Sequence, residues 1–388
     1  MPSQACGLYI HVPFCQRKCG YCDFYSRSLA AHPELKQAYL DALLRELDET
    51  VSFLGCAAAR PETVARHLAT VYFGGGTPSL LAAKDFQRIF DGIAYHYPLD
   101  KAEEITLEAN PDDLSDSYLE SLRALPFNRL SIGIQSFNDG ELAFIGRRHD
   151  AQTARRAVQG AQAAGFDNIS IDLMFGLPHQ SLDSFEASID QALALGVQHI
   201  SAYMLTLEPE VPLAKSLARG RWTACDDDLA ATMYALLVYK LQAAGYEHYE
   251  ISNFALPGRR SQHNSSYWNG RPYLGLGPSA HSYDGGCRRR WNAADIRSYV
   301  QGNFQREEEL LRPQDMFNDY LLTRLRTSEG IDLDDLQHRF GQQTKDYCLE
   351  QARVFIGQGQ LIHEKSSLRL APEAYFVSDG IIRDLLQL

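Results

Sequence analysis

The sequence contains no uncharged apolar run near the length of about 18 residues that marks a membrane-spanning helix. Its first residues, 1–6, also lack the basic stretch and apolar core of a secretion signal. We therefore expect a cytoplasmic protein. Basic residues are in deficit as well, because 37 lysines and arginines face 49 acidic residues and leave a formal net charge of -12. This charge opposes attraction to phosphate backbones, so we do not expect nucleic acid as a partner.

Cysteine is scarce, with 8 residues in a chain of 388, too few for a disulfide scaffold. Three of them nevertheless lie close together, as Cys15, Cys19 and Cys22. In a chain expected to be cytoplasmic, such clustering indicates metal chemistry rather than crosslinks. The other five are scattered, and we interpret each as an ordinary small buried apolar residue: Cys6, Cys56, Cys225, Cys287 and Cys348.

Apolar, β-branched runs alternate with helical patterns from residue 7 to residue 205, and glycine closes several of these patterns, as at Gly165 and Gly196. Six β/α units in succession predict an α/β fold whose parallel sheet wraps into a partial (β/α)6 barrel, short of a closed barrel of eight strands. Loops at the carboxyl ends of such strands build the functional site. The predicted strands are 7–12, 70–73, 104–107, 129–134, 168–175 and 199–205, and the predicted helices include 34–54, 115–124, 151–164 and 181–195.

The alternation stops near Ala244. Residues 253–291 are rich in glycine, proline, asparagine and aromatic residues, a composition that predicts turns. Three short helices and a hairpin are then predicted, an order that resembles a winged-helix module, at 315–326, 332–340, 344–357 and 360–370. We accordingly divide the chain into a core domain, a connecting region and a mainly α-helical, winged-helix-like carboxyl-terminal domain, over residues 1–243, 244–300 and 301–388.

The spacing Cys15-x3-Cys19-x2-Cys22 suits an iron–sulfur cubane, because a short irregular loop can aim three thiolates at different irons. Three ligands leave one iron open to bind a further molecule, as catalytic zinc sites keep a free position. The alternative is a zinc knuckle, which needs a fourth cysteine or histidine nearby. His11 lies on the first predicted strand and is a poor fourth ligand.

The run from Tyr9 to Phe24, YIHVPFCQRKCGYCDF, resembles the radical S-adenosylmethionine (SAM) superfamily. Within it, the run is most similar to the branch of oxygen-independent coproporphyrinogen oxidases and HemW-type heme chaperones, and the resemblance covers nearly the whole chain. It implies a partial barrel of the radical SAM type, with a [4Fe–4S] cluster on Cys15, Cys19 and Cys22 and SAM on the open iron. In that superfamily the cofactor supplies the radical chemistry, and the protein orients it and excludes water.

A glycine loop, Gly74-Gly75-Gly76-Thr77, follows the second predicted strand. Glycine lets a backbone approach a ligand closely, although many tight turns share this pattern. The resemblance implies that Gly75, Gly76 and Thr77 hold the methionine end of SAM. It also implies that Glu108, near the end of the third strand, accepts the ribose hydroxyls, whereas residue type alone fits a solvated strand terminus equally well.

Three further residues match positions that line the same cavity in coproporphyrinogen oxidases and help to bind a second SAM there: Gln135, Arg147 and Asp172. Asp172 also stands out on physical grounds, because a carboxylate inside an apolar strand must be paired or functional. Tyr9 and Tyr21 flank the cluster loop, where either could shield the cluster or contact adenine.

Two features separate the oxidases from the heme chaperones. The oxidases carry another cysteine two positions past the third ligand, where this sequence has Phe24. They also have an extension ahead of the first strand, which this sequence reaches almost at once. Both differences argue against decarboxylase activity and favour the chaperone group, and whether the protein is an enzyme stays open.

The segment His263-Asn264-Ser265-Ser266-Tyr267-Trp268 resembles the HNxxYW segment of the heme chaperones. An imidazole is a good axial ligand for heme iron, and aromatic rings pack on a porphyrin face. We therefore predict that His263 binds heme, with His281 as a weaker candidate. The competing interpretation is that His263 is a structural histidine in a polar loop.

Together these features predict a heme chaperone that binds a [4Fe–4S] cluster, SAM and heme and delivers heme to respiratory enzymes at the membrane. A peripheral position at the inner face of the membrane, a heme donor protein and a homodimer are further expectations of this hypothesis. The alternative is an oxygen-independent coproporphyrinogen III oxidase. Nucleic-acid binding by the winged-helix-like segment is disfavoured, because acidic residues lie at its helices, as at 307–309 and 332–335.

Overall fold

Six parallel strands lie side by side in chain order at the centre of the main sheet, as the sequence predicts. The computed structural model describes residues 5–54 and 67–387, so Cys56 lies outside the described residues. Two very short strands in the cysteine region pair with each other instead. The strands of this half are β1 (Ala5–Val12), β2 (Phe14–Cys15), β3 (Arg27–Ser28), β4 (His67–Gly75), β5 (Glu104–Ala109), β6 (Arg129–Gln135), β7 (Ile169–Phe175) and β8 (His199–Met204).

Helices connect these strands, and several start and end where the sequence signals predict. Asp150 accepts a hydrogen bond from the Thr153 amide at 2.7 Å before one helix, and Gly165 and Gly196 follow helices with φ of 91° and 63°. The predicted helix 34–54 ends earlier and continues as a 3₁₀ turn, Val51–Leu54. The helices are α1 (Leu35–Thr50), α2 (Ala83–His96), α3 (Asp116–Arg123), α4 (Asp139–Ile145), α5 (Ala151–Ala163), α6 (Leu182–Ala194), α7 (Pro212–Ala218) and α8 (Asp227–Ala243).

Alternate residues of each parallel strand point to opposite faces of the sheet. In β1, Leu8 and Ile10 are fully buried in the apolar core, whereas Tyr9 and His11 line a cavity on the concave side. The apolar core therefore lies between the sheet and the helices. The concave face is left for polar and aromatic side chains.

Residues predicted as a connecting region continue the same sheet at both edges. Two strands pair antiparallel beside β8. Another runs parallel to β1 and is followed by three antiparallel strands, the last of which, at 306–310, lies in the segment predicted as the carboxyl-terminal domain. These strands were not predicted from the sequence, because each is only three to five residues long and the surrounding composition is rich in turn residues. These elements are β9 (Glu247–Glu250), β10 (Asn253–Ala255), α9 (Gln262–Trp268), β11 (Tyr273–Leu276), β12 (His281–Tyr283), β13 (Arg288–Asn292), α10 (Ile296–Val300) and β14 (Arg306–Leu310).

The carboxyl-terminal segment folds into the predicted order of three helices and a hairpin, with a third short strand added to the hairpin. It packs beside β9, where the Ile251 amide donates to the Arg326 carbonyl at 3.0 Å and the Ser328 amide to the Tyr249 carbonyl at 3.0 Å. The division of the chain at residues 243 and 300 stays a prediction. The elements are α11 (Pro313–Arg324), β15 (Ile331–Asp332), α12 (Leu333–Phe340), α13 (Gln342–Gly357), β16 (Leu361–Glu364), β17 (Ser367–Leu370) and α14 (Ser378–Leu385).

The described residues include no helix that is both long and apolar enough to cross a membrane. Of the scattered cysteines, Cys6 and Cys348 are buried as expected, whereas Cys287 is exposed and Cys225 is half-buried. The prediction of burial is wrong for these last two. Cys287 lies in the turn before β13, and Cys225 precedes α8, so neither faces the core.

Candidate functional site

The three clustered cysteines lie on one loop that is tied to the barrel at both ends. The Arg27 amide donates to the Pro13 carbonyl at 2.8 Å, and the Leu29 amide to the Cys15 carbonyl at 3.0 Å, which close the loop at its base. At its far side Gly20 joins α4 and α7, because its amide donates to Ile145 and its carbonyl accepts from Leu213. The loop is therefore anchored through backbone groups, and none of these bonds uses a cysteine sulfur.

The thiols of Cys15, Cys19 and Cys22 share one small region. Cys15 is buried and the other two are half-buried. Burial raises the pKa of the Cys22 thiol, and the neighbouring Cys15 and Cys19 raise it further. Among residues 5–54 and 67–387, no three histidine, cysteine or acidic side chains converge as ligands of a single metal ion. Thiolates that each bind a different iron of a cubane do not need to converge in that way.

A chain of hydrogen bonds joins two of these thiols through side chains that follow β4, β5 and α4. Thr77 Oγ1 donates to Cys15 Sγ at 3.5 Å and accepts from Asn110 Nδ2 at 3.2 Å. Arg147 Nη2 donates to Asn110 Oδ1 at 2.7 Å, and Arg147 Nη1 points at Cys19 Sγ at 3.8 Å. Each sulfur thus receives a donor, an environment that suits thiolates bound to iron.

This chain brings together two predicted site residues, Thr77 and Arg147, and one that the sequence reasoning missed, Asn110. The available signal was position, because Asn110 directly follows the last residue of β5, at the strand edge where functional loops gather. We therefore include Asn110 in the site. The residues present fit an iron–sulfur cluster held by three cysteines.

The glycine loop after β4 packs tightly onto the first strand. Gly75 has φ of 104°, and a Cβ there would lie 2.5 Å from the His11 ring. A Cβ on Gly76 would lie 2.5 Å from the carbonyl oxygen of Phe14. Both positions therefore require glycine for packing within the protein, a reason that differs from the predicted approach to a ligand. The Gly76 and Thr77 amides donate to the carbonyls of Val12 and Phe14, which bind the glycine loop to the segment that leads into the cysteine loop.

Glu108 lies inside the barrel, with its carboxylate already engaged. Tyr72 donates a hydrogen bond to one oxygen at 2.7 Å, and the Gly75 amide donates to the other at 3.2 Å. Burial raises the pKa of this carboxyl to about 7, the tyrosine hydroxyl opposes the rise, and nearby Asp172 adds to it. Glu108 therefore orients the glycine loop directly, and its contact with a ribose stays a prediction.

Asp172 lines the same interior and is half-buried there, near Ser201 and Arg129. Burial raises its pKa to about 6, opposed by a hydrogen bond from Ser201 and by the charge of Arg129. The charge of Asp172 in turn contributes to the raised pKa of Glu108. Both line an interior cavity of about 230 Å³.

The remaining predicted residues divide between the cluster side and the interior. Gln135 ends β6 in a left-handed conformation, with φ of 73°. Its amide lies against Gly133 beside the Arg147 guanidinium. Tyr21 lies by the cluster loop, where burial raises its pKa and Arg147 opposes the rise. Tyr9 stacks at 6.1 Å on Tyr72, and its contact with the cluster or with adenine stays a prediction.

His263 lies on α9 and lines the same interior cavity as Glu108 and Asp172. Its Nδ1 is 2.7 Å from Thr70 Oγ1, and its Nε2 is 2.9 Å from the Tyr267 hydroxyl. The residue is 2% exposed, and burial lowers its pKa to about 3. Glu104 fixes the start of α9 by accepting from the His263 amide at 2.9 Å. Both ring nitrogens are therefore engaged, and this geometry does not support His263 as an iron ligand.

A second and much larger cavity opens on the concave side, and we call it the side groove. It has a volume of about 1610 Å³ and extends from Phe24, past α9 and the β11–β13 strands, to α11 and α12. His281, the weaker candidate from the sequence, is exposed in it. The site thus consists of a cluster loop, a polar interior cavity and an open groove.

Comparisons with known proteins agree with this arrangement. Residues 9–192 match the radical SAM superfamily, and residues 311–377 match the HemN C-terminal domain. The heme chaperone HemW of Mycobacterium tuberculosis is 34% identical over 397 residues, covering 100% of this chain and 96% of that protein. The heme chaperone HemW of Escherichia coli is 36% identical over 329 residues, covering 83% of each chain.

Among solved structures, the radical SAM enzyme coproporphyrinogen III oxidase (HemN) of Escherichia coli has a TM-score of 0.83, over 100% of this chain and 91% of that one. At 22% identity this likeness concerns the fold. A cysteine loop at the carboxyl edge of a partial (β/α)6 barrel, with a mainly helical carboxyl-terminal domain, is the architecture of radical SAM proteins of this type. By its full-length similarity, the chain belongs to the HemW family of that superfamily.

Proposed function

We propose that this protein binds heme and transfers it to other proteins, on a scaffold organised by a [4Fe–4S] cluster and SAM. The observation that carries the proposal is the similarity to heme chaperones over the full length of the chain, at 34% identity. Phe24 supports it, because this exposed phenylalanine lies where the sequence comparison with oxidases expects a cysteine. The side groove gives a cargo of porphyrin size a place to bind.

Cys15, Cys19 and Cys22 would hold the cluster. When bound, the cluster and SAM supply one-electron chemistry at the open iron, which the protein need not use to carry heme. Thr77 donates toward the sulfur of Cys15 and Arg147 toward the sulfur of Cys19, and these contacts hold the cysteine loop against the barrel. Gly75, Gly76, Thr77, Glu108, Gln135, Arg147 and Asp172 remain the residues that we propose for SAM.

The proposed acceptors are respiratory enzymes at the membrane, and the proposed location is the cytoplasm, with peripheral contact at the inner membrane face. A heme donor protein and a homodimer belong to the same hypothesis. These points rest on the resemblance to the heme chaperones. A heme transfer assay with a heme-depleted respiratory membrane fraction addresses them directly.

The central experiment uses protein reconstituted anaerobically with iron and sulfide. We expect titration with hemin to produce a saturable Soret band. Absence of such a band under reducing and oxidising conditions would overturn the proposal.

The same preparation distinguishes the alternative function, oxidative decarboxylation of coproporphyrinogen III. With SAM and a reductant present, we expect no vinyl-bearing product, because Phe24 replaces the additional cysteine of the oxidases. Turnover to a decarboxylated product would favour the oxidase function over the chaperone function.

A further inference from the structure

The side groove has a histidine whose ring is free to bind a ligand. His281 is the first residue of β12, it is exposed, and no hydrogen bond to its ring exists within residues 5–54 and 67–387. The other histidine on the same sheet face, His11, is different, because its ring is held by the Tyr25 carbonyl at 2.9 Å and the Tyr9 hydroxyl at 3.2 Å. Of these two, only His281 can offer a nitrogen to a metal without breaking an internal bond.

The backbone fixes the position of His281 rather than leaving it on a loose loop. In the register of β12 and β13, His281 faces Trp291, and the two rings stack at 5.7 Å with an angle of 19°. The turn before β12 is tight, since Ser279 has φ of 67°, and Gly277 leaves no room for a Cβ against the His11 carbonyl. Burial and the nearby Arg289 lower the pKa of His281, so its imidazole is neutral and able to bind iron at pH 7.

Aromatic side chains form the walls on either side of this histidine. Tyr273 and Tyr283 face each other across β11 and β12 on the same sheet face as His281. Trp268 contributes from the end of α9, and Phe24 from the cluster loop. Phe24 is 69% exposed, so its ring is accessible from the groove. A flat apolar molecule would cover these rings.

The charges of the groove also discriminate between ligands. Four arginines and four aspartates line it, but the ion pairs Arg289–Asp319 and Arg339–Asp335 neutralise half of each set. Arg271 is exposed and makes no ion pair or side-chain hydrogen bond within the described residues. It lies four positions before Gly275, which is adjacent to the His281 backbone, so its Cα is at most roughly 13 Å from that of Gly275. A free guanidinium at that distance can bind a carboxylate at the rim of a planar ligand.

From these features we infer that heme binds in the side groove, with His281 as the iron ligand. Phe24 and Trp268 pack against the porphyrin, and Arg271 pairs with a propionate. This inference rests on the heme-binding function proposed above and assigns that function to particular residues. It assigns the iron ligand to a histidine on the open face instead of His263, because both ring nitrogens of His263 are hydrogen-bonded inside the barrel. It also places heme beside the cluster loop, because Phe24 follows the third cysteine by two residues.

The test compares hemin binding by the full chain, with its cluster reconstituted, in wild type, His281→Phe and His363→Phe. Phenylalanine keeps a ring to stack on Trp291 but removes the ligating nitrogen, and His363 is an exposed control on β16. We expect His281→Phe to weaken hemin binding by roughly tenfold or more, as loss of a metal contact does. We also expect it to shift the Soret maximum and leave the iron content of the cluster unchanged. His363→Phe should match wild type.

A second comparison tests the propionate contact. Arg271→Gln should weaken binding of hemin without moving the Soret maximum, because the iron ligand is untouched. It should not weaken binding of hemin dimethyl ester, which has no carboxylate to pair with the guanidinium. Equal losses of affinity for hemin and for its dimethyl ester would show that Arg271 does not bind a propionate.

The outcomes separate this inference from the function on which it rests. If wild type does not bind hemin, the proposed function fails. If wild type binds hemin and His281→Phe keeps the same affinity and Soret maximum, heme binding stands and the assignment of His281 is overturned. His338 lies on the opposite wall of the groove, in α12. If His338→Phe shifts the Soret maximum and His281→Phe does not, the iron ligand is His338 and the inference is overturned.

Discussion

Because His263 is buried inside the barrel, we expect it to make the free energy of unfolding fall at acid pH by an amount that can be calculated. The perturbation is His263→Gln, which removes the titrating ring and keeps an amide that can still bond to Thr70 or Tyr267. In the folded protein burial lowers the pKa of His263 from its ordinary value of 6.5 to about 3. The folded state therefore keeps this imidazole neutral at pH values where the unfolded chain protonates it. The stabilising effect is complete above pH 6.5 and is lost as pH falls toward 3.

The magnitude follows from the interval that an experiment can reach. Between pH 6.5 and pH 5 the unfolded chain gains its proton over about 1.5 pH units, at about 1.4 kcal/mol for each unit. Wild type should therefore lose about 2 kcal/mol of unfolding free energy between pH 7 and pH 5 through His263 alone. Other buried histidines with a pKa near 4, His11, His149 and His248, add to the total loss. Their contribution cancels when variant and wild type are compared.

The assay is anaerobic urea unfolding of the cluster-loaded protein at pH 7 and pH 5. His263→Gln should lower stability at pH 7, because two buried hydrogen bonds are altered, and should reduce the pH-dependent loss by about 2 kcal/mol relative to wild type. His363→Gln, at an exposed position, is the control and should behave as wild type.

An unchanged difference between pH 7 and pH 5 in His263→Gln would refute the interior placement. A variant that keeps wild-type stability but loses the Soret band would restore His263 as the heme ligand predicted from the sequence. The two measurements together therefore decide between the structural and the ligand interpretation of this histidine.

Three further predictions concern the cluster and SAM. Cys19→Ala should abolish the cluster, because two remaining thiolates cannot hold a cubane, whereas Cys225→Ala should not; full iron content and unchanged thiolate-to-iron absorption in Cys19→Ala would contradict the ligand assignment. Glu108→Gln should weaken SAM binding about tenfold to hundredfold, since a charge-assisted contact is worth about 1.5–3 kcal/mol, and leave the cluster intact; calorimetry that finds the wild-type affinity would take Glu108 out of the SAM site. Asn110→Leu should retain the cluster but lower its reduction potential, because it interrupts the hydrogen bonds that lead to Cys15 and Cys19; an anaerobic redox titration identical to wild type would show that this chain does not act on the cluster.

Local signals in the sequence predicted much of the fold. Alternating strands and helices predicted six parallel strands, which are all present. Glycine at 165 and 196 marked helix ends correctly because the left-handed conformation there suits glycine. The short strands β9 to β13 were missed, since three to five residues carry too little periodicity to outweigh a turn-rich composition.

The candidate site shows the same division. Thr77 and Arg147 were predicted from the sequence, and the structure joins them through Asn110, whose role appears only when the segments that follow β4, β5 and α4 meet. The glycine loop was predicted in the right place for a reason that the structure changes. Gly75 and Gly76 are required because His11 and Phe14 occupy the space that a Cβ would need.

The sequence by itself determined the chemistry of the cluster loop and the order of the β/α units, because both depend on spacings of a few residues along one stretch of chain. Only the tertiary structure decided which histidine is free. His263 bonds to Thr70, 193 positions away, when α9 closes against β4, while His281 is held at the open face by the register of β12 and β13. Whether a histidine ring is buried, and whether its nitrogens are hydrogen-bonded, depends on contacts between distant segments of the chain. A local sequence motif does not show those contacts.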